Sequence, residues 1–223
     1  MSQIIKMDAK LANMIAAGEV VNRPSSVVKE LVENSIDAKA TQILIEISDF
    51  GMAKIAVSDN GVGMDHDDAH LCFLRHATSK IEKETDLNAI GTLGFRGEAL
   101  AAISSVSKVT LKTRQEGFEG IEVSYHGGKL VDQRSAALNV GTQVIVNDLF
   151  YNTPARFKYI KSEQAEKIAI MDIFDRLALS HQNISFKLYI DQKLVKETFG
   201  QNDYIALLDQ VYGKQAIKNL TIF

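Results

Sequence analysis

Between Pro24 and Ala38 the apolar side chains recur at helical spacing. At about 100° per residue, Val28, Leu31, Val32 and Ile36 fall on one face, and Glu30, Glu33, Asn34 and Asp37 fall on the other. The spacing predicts a helix over 24–38, and Pro24 suits its first position, where its missing N–H would have had no partner. Upstream, residues 9–17 predict a first helix closed by Gly18. The period then changes to two. Ile43, Ile45 and Ile47 alternate within 42–48, which predicts a strand, and a second strand over 54–58 follows the Asp49-Phe50-Gly51 turn.

Asp59-Asn60-Gly61-Val62-Gly63 breaks the alternation, and a helix is expected over 65–74. The stretch after it is polar and carries Thr78, Ser79, Gly91 and Gly94; its length in a compact domain predicts a mobile lid over about 75–97, with a helix resuming at 96–105. Strands are expected over 106–114, 120–125, 129–134 and 142–149, two of them joined by the His126-Gly127-Gly128 turn. A helix over 162–180, strands over 184–190 and 193–199, and a helix over 203–212 complete the chain. Long antiparallel β segments with interspersed helices predict an α+β fold, a two-layer α/β sandwich with helices on one face of the sheet.

Composition narrows the options. The 223 residues can bury a sizeable core, and one domain plus part of a second is the natural estimate. A net charge of −3 excludes a strongly basic nucleic-acid binder, so any such contact must come from a local patch or from assembly. The longest apolar runs fall far short of the roughly 20 residues needed to span a bilayer, and no secretory signal is expected. The single cysteine, Cys72, sits in the apolar run Leu71-Cys72-Phe73-Leu74 and reads as a buried structural thiol in a reducing compartment.

Four groups of residues could carry chemistry. On the polar side of the 24–38 helix, Glu30, Glu33, Asn34 and Asp37 gather acceptor oxygens with no cation among them and Lys29 to the side. Such a face suits a hard divalent ion and an activated water, or simply solvent. Asp59-x-Gly61-x-Gly63 after a buried strand offers a carboxylate for an exocyclic amine and glycines that admit a ligand, or an Asx turn before a helix. The segment Gly91-Thr92-Leu93-Gly94-Phe95-Arg96-Gly97-Glu98-Ala99-Leu100 is a glycine-rich loop running into a helix. It suits phosphate, yet it lacks the Gly-Lys-Ser/Thr ending of a Walker loop, and a plain flexible loop is the alternative. Upstream of it, Thr78-Ser79-Lys80 adds two hydroxyls and a cation. Gly141-Thr142 opens a strand, where Thr142 alone is ordinary strand chemistry.

Their order along the chain resembles the four motifs of the GHKL (Bergerat) ATPases, which include type II topoisomerase ATPase subunits, Hsp90-type chaperones, sensor histidine kinases and MutL. Within that superfamily, residues 11–23, 29–38, 75–80, 94–100 and 150–156 resemble the N-terminal ATPase region of the MutL family of DNA mismatch repair proteins. The resemblance covers residues 11 to about 180. Two departures are Met7-Asp8, where Leu-Pro is common, and Lys39, where Gly is common.

The resemblance implies a mixed, mostly antiparallel sheet, with ATP and Mg²⁺ as cofactors. Glu30 is then the general base, Asn34 the Mg²⁺ ligand, and Asp59 with Thr142 the adenine partners, while Gly61 and Gly63 let base and ribose approach. Thr78, Ser79, Lys80, Gly94, Phe95, Arg96, Gly97, Glu98, Ala99 and Leu100 surround the phosphates. It implies an ATPase domain over 1–200 and the start of a second, ribosomal S5-like domain at 201–223. It further implies ATP-driven pairing of two N-terminal heads as a homodimer or heterodimer, and a MutS-type mismatch sensor as partner. Weak, non-specific DNA contact would run through cations such as Arg156, Lys158 and Lys161. The expected location is the cytoplasm and nucleoid of a bacterium or the nucleus of a eukaryote. Two other readings share the fold: a nucleotide-gated binding module with vestigial hydrolysis, which would not need Glu30, and a histidine kinase catalytic domain, which would not need the 150–156 segment.

Overall fold

The computed structural model describes residues 18, 20–75, 77, 97–158 and 160–213. The helix expected over 9–17 and most of the lid, including Thr78, Ser79, Lys80, Gly94, Phe95 and Arg96, lie outside the described residues. The elements run α1 (Pro24–Asp37), β1 (Gln42–Ser48), β2 (Lys54–Asp59), α2 (His66–Leu71) and α3 (Ala99–Ser105). Then come β3 (Lys108–Arg114), β4 (Gly120–His126), β5 (Lys129–Ala136), β6 (Gly141–Asn147) and the short α4 (Pro154–Phe157). The chain continues through α5 (Glu163–Ser180), β7 (Ser185–Ile190), β8 (Lys193–Phe199) and α6 (Tyr204–Tyr212).

Among the described residues eight strands form one sheet in the order β5-β4-β3-β6-β2-β1-β7-β8. Only β1 and β7 run parallel; the other neighbours are antiparallel. The alternation legible in the sequence is the reason one face is covered. Ile43, Ile45 and Ile47 of β1, Val109 and Leu111 of β3, Val144 and Val146 of β6, and Phe186 and Leu188 of β7 are buried. They share one core with Val27, Val28, Leu31 and Val32 of α1 and Ile170, Phe174 and Ala178 of α5. Helix α1 packs on β2 and alongside α5, so its polar flank is carried at the level where β2 ends. The expected two-layer, mostly antiparallel α+β architecture is the one observed.

Local differences from the expectations have local causes. Gly18 and Val20 both carry helical backbone, so Gly18 does not close a helix. Helix α2 stops at Leu71 because Cys72 and the residues after it turn, bringing Phe73 onto the Tyr125 ring at 4.0 Å between centroids. Helix α3 starts at Ala99 and not at 96, because Gly97 has φ +58 and cannot join a right-handed helix. β6 ends at Asn147, since Asp148 turns the chain with φ +51. Helix α6 packs against β8 and α5; its N-terminus is capped by Asp203, which accepts from the N–H groups of Ile205 and Ala206 at 3.0 Å.

Candidate functional site

Asp59 is the last residue of β2, where the strand leaves the sheet beside α1. Its Oδ2 accepts from the Ser35 hydroxyl at 2.7 Å, and its Oδ1 accepts from the Gly61 N–H at 2.9 Å. Across the β2–β6 ladder it stands opposite Thr142. Burial lifts the Asp59 carboxyl above its ordinary value of 3.8, while the bonds from Ser35, Gly61 and the Thr142 backbone pull it back. A carboxylate offers about four acceptor positions, so these three bonds hold its plane and still leave capacity for an amine.

The glycines of this motif have a reason internal to the protein. A Cβ on Gly61 would lie 2.6 Å from the Ala38 carbonyl oxygen, at the end of α1. Gly63 has φ +69, and a Cβ there would lie 1.9 Å from the Arg114 carbonyl oxygen. The Asp59–Gly63 loop is thus pressed between the end of α1 and the end of β3. Val62 N–H donates to the Ala38 carbonyl at 2.9 Å and fixes the first of these contacts.

The strand opposite is held by a buried hydroxyl. Thr113 on β3 is fully buried; its Oγ1 accepts from the Met64 N–H at 2.9 Å and lies 3.0 Å from the Thr142 hydroxyl. Gly141, just before Thr142, has φ +136, and a Cβ there would meet the Asp59 carbonyl at 2.2 Å. Asp59, Gly61, Met64, Thr113, Gly141 and Thr142 therefore form one connected end of the sheet.

Glu30 and Asn34 lie one turn apart on α1 and are both partly buried, with Ser35 next to Asn34 reaching Asp59. The acidic flank is not free of cations, as the sequence suggested: the Lys29 Nζ sits 2.8 Å from Glu33 Oε2 and 3.9 Å from Glu30 Oε1. Glu33 is buried and committed to that pair, which removes it as a candidate for chemistry. Among the described residues no group of three or more His, Cys, Asp or Glu could hold a metal by itself. A single carboxamide oxygen fits a magnesium ion that draws its other ligands from phosphate and water.

The phosphate-side segment is described only from Gly97. Gly97 takes its left-handed turn, Glu98 precedes α3 with φ −127, and Ala99 and Leu100 open the helix, all four partly exposed. Of the cations proposed for nucleic acid, Lys158 and Lys161 are exposed, but Arg156 is not a solvent-facing arm. Its guanidinium packs against Gly18, where a Cβ would lie 2.7 Å from Nη2, and burial lowers its pKa. Cys72 is partly buried; burial and then the Asp68 carboxylate push its thiol up to about 12, which suits a structural thiol and not a nucleophile. No helix among the described residues is long and apolar enough to cross a membrane.

Ser35 and Thr113 are the site residues that sequence reasoning passed over. Each left a trace: Ser35 is a hydroxyl on the apolar stripe of α1, and Thr113 continues the buried series Val109, Leu111 on β3. A small polar group at a buried position needs a partner, and here each has one inside the site.

Comparison with known proteins gives three kinds of match. The sequence profile of the histidine kinase-, DNA gyrase B- and HSP90-like ATPase family matches residues 22–143. The DNA mismatch repair protein MutL of Exiguobacterium sibiricum is 50% identical over 222 residues, and that of Staphylococcus carnosus is 50% identical over 220 residues. These alignments cover 100% and 99% of this chain but only 37% and 34% of the relatives, so the chain spans about a third of their length. Among solved structures, the Aquifex aeolicus MutL ATPase domain complexed with ADP superposes with a TM-score of 0.69 at 31% identity, covering 86% of this chain and 70% of that one. The N-terminal domain of a DNA repair protein gives a TM-score of 0.76 at 30% identity, covering 93% and 62%.

Proposed function

This chain belongs to the MutL family within the histidine kinase-, DNA gyrase B- and HSP90-like ATPases, and from that membership we propose that it is the ATP-driven switch domain of a DNA mismatch repair protein. The observation that carries the reading is the strand-end carboxylate of Asp59, held in one plane by Ser35 and Gly61 opposite Thr142. Adenine presents an amine there, and guanine a carbonyl that an acceptor cannot pair with. The ADP in the Aquifex aeolicus MutL ATPase domain supports an adenine nucleotide.

Glu30 polarises the attacking water and Asn34 holds the magnesium ion through its amide oxygen. The ion supplies charge neutralisation for the phosphates; the protein's share is positioning, as phosphoryl transfer requires. Gly97, Glu98, Ala99 and Leu100 wrap the phosphates together with Thr78, Ser79, Lys80, Gly94, Phe95 and Arg96. Gly61 and Gly63 keep the loop low enough for base and ribose to approach. Turnover is slow, and the bound state is the signal: nucleotide orders the lid over about 75–97 and favours pairing of two heads.

In the whole protein a second domain follows from about residue 201, and the paired heads signal from a MutS-type sensor, with weak DNA contact through Lys158 and Lys161. The resemblance to bacterial relatives supports a cytoplasmic, nucleoid-associated location. Calorimetric titration with ATP and GTP, each with and without Mg²⁺, tests the core of this reading. Magnesium-dependent binding of ATP with GTP excluded is expected; equal affinity for the two nucleotides overturns it.

A further inference from the structure

We propose that Ser35 is the positioning residue that sets the adenine edge of the site, by holding the Asp59 carboxylate in its amine-accepting orientation. This rests on the assignment of Asp59 to the adenine amine above. Ser35 lies on α1 with 4% of its surface exposed. Its hydroxyl has one proton and two acceptors in reach: the Leu31 carbonyl at 3.2 Å and Asp59 Oδ2 at 2.7 Å. A helix serine commonly bonds back to the carbonyl four residues earlier, and that alone would be a local matter. Here the shorter contact is to a carboxylate, and charge-assisted bonds are the shorter and stronger kind. The proton therefore goes to Asp59.

The consequence reaches beyond local packing. Asp59 Oδ1 is already fixed by the Gly61 N–H at 2.9 Å, and the Thr142 backbone bonds the same carboxylate from across the ladder. The bond from Ser35 holds the other oxygen, Oδ2, on the α1 side, and with it the tilt of the carboxylate plane. It also comes from the residue next to Asn34, so one stretch of α1 carries the group placed on the metal and the group that orients the base partner. The nucleotide's two ends are thereby registered by a single helix. Removing the hydroxyl leaves helix and core undisturbed, because alanine is the better helix former and no larger group enters.

The test separates positioning from stability. Affinities of the wild-type chain and of Ser35→Ala are measured for ATP and for purine riboside triphosphate, which lacks the 6-amino group. The expected result is ATP binding weakened about tenfold, the scale of one hydrogen bond to a charged group, with binding of the deaminated analogue unchanged. In an Asp59→Asn background Ser35→Ala should weaken ATP no further, since both act through one contact. Equal losses for both nucleotides would show a merely structural serine and overturn the proposal, as would no loss for either. If Asp59→Asn by itself leaves ATP affinity intact, the adenine assignment fails first and takes this inference with it.

Discussion

Arg23 grips Glu166 with two parallel hydrogen bonds, Nε to Oε2 at 3.1 Å and Nη2 to Oε1 at 3.0 Å. Arg23 precedes Pro24 at the start of α1, and Glu166 is a fully buried carboxylate on α5. The helix that carries Glu30, Asn34 and Ser35 is therefore pinned at its first turn to the other long helix of the layer. Such a planar fork matches a carboxylate in a way that lysine cannot.

Truncating the pair from one side should be costly, because a buried charge is left without its counter-ion. Arg23→Ala is expected to lower unfolding stability by about 3 kcal/mol, at the low end for a broken buried pair since Arg23 is itself partly exposed. Arg23→Lys should recover only part of the loss. Urea denaturation of the three proteins checks this, and equal midpoints would mean that the pair contributes nothing.

Asp59 should show a trade between stability and binding. Its folded pKa lies above the ordinary 3.8, so its stabilising contribution is complete below 3.8 and is lost as pH rises through the folded value. Asn at this position removes that loss. Its Oδ1 can accept from the Gly61 N–H, and its amide can donate to Ser35 Oγ, whose proton then turns to the Leu31 carbonyl. The apo Asp59→Asn protein is expected to melt at or above the wild-type temperature at pH 7, with the gap closing as pH falls towards 3.8, while ATP binding collapses. Melting curves across pH, beside ATP titrations, decide it; a variant that melts lower at pH 7 contradicts the sign.

Much of this site was legible because its residues break a period. Asp59, Gly61 and Gly63 interrupt a strand, and Glu30 and Asn34 occupy the polar side of an amphipathic helix. The sheet was legible for the same reason, since Ile43, Ile45 and Ile47 alternate and one face is buried. Contacts between elements distant in sequence were not. Nothing in the chain's local pattern says that Ser35 meets Asp59, that Lys29 takes Glu33, or that Gly63 is pressed on Arg114. The sequence offered the glycines as room for a ligand; it did not show that on the side a Cβ would occupy each is closed by a carbonyl of the protein itself. Arg156 looked like a surface cation for the same reason: its burial against Gly18 is a property of the fold and not of its neighbours in sequence.

Glu30 and Asn34 should separate kinetically although they share a face. Glu30→Ala is expected to keep ATP and Mg²⁺ bound and to lose hydrolysis on the order of 10²–10⁴-fold, the usual share of a general base. Asn34→Ala should lose nucleotide binding first, because the metal anchor acts on the ground state too. Single-turnover assays at saturating nucleotide, run beside binding titrations, resolve the two. Normal hydrolysis in both variants would return this flank of α1 to an ordinary solvated surface.

Gly63 and Gly117 allow the cost of a close approach to be measured against the cost of backbone conformation alone. Both have positive φ, +69 and +83, and neither is in a regular element. A Cβ on Gly117 meets nothing within 4 Å, whereas one on Gly63 falls 1.9 Å from the Arg114 carbonyl oxygen. Gly117→Ala should therefore cost only the left-handed penalty, about 1 kcal/mol. Gly63→Ala must in addition push the loop away from β3, lengthening the Met64 N–H bond to Thr113 and with it the support of Thr142. Its expected cost is about 3 kcal/mol or more, among the large values that mark a steric conflict. Because the displaced loop starts at Asp59, ATP affinity should fall in Gly63→Ala and stay at the wild-type level in Gly117→Ala. Denaturation midpoints and ATP titrations on both variants provide the comparison, and equal stability losses at the two glycines would mean that the loop yields freely and is not clamped between α1 and β3.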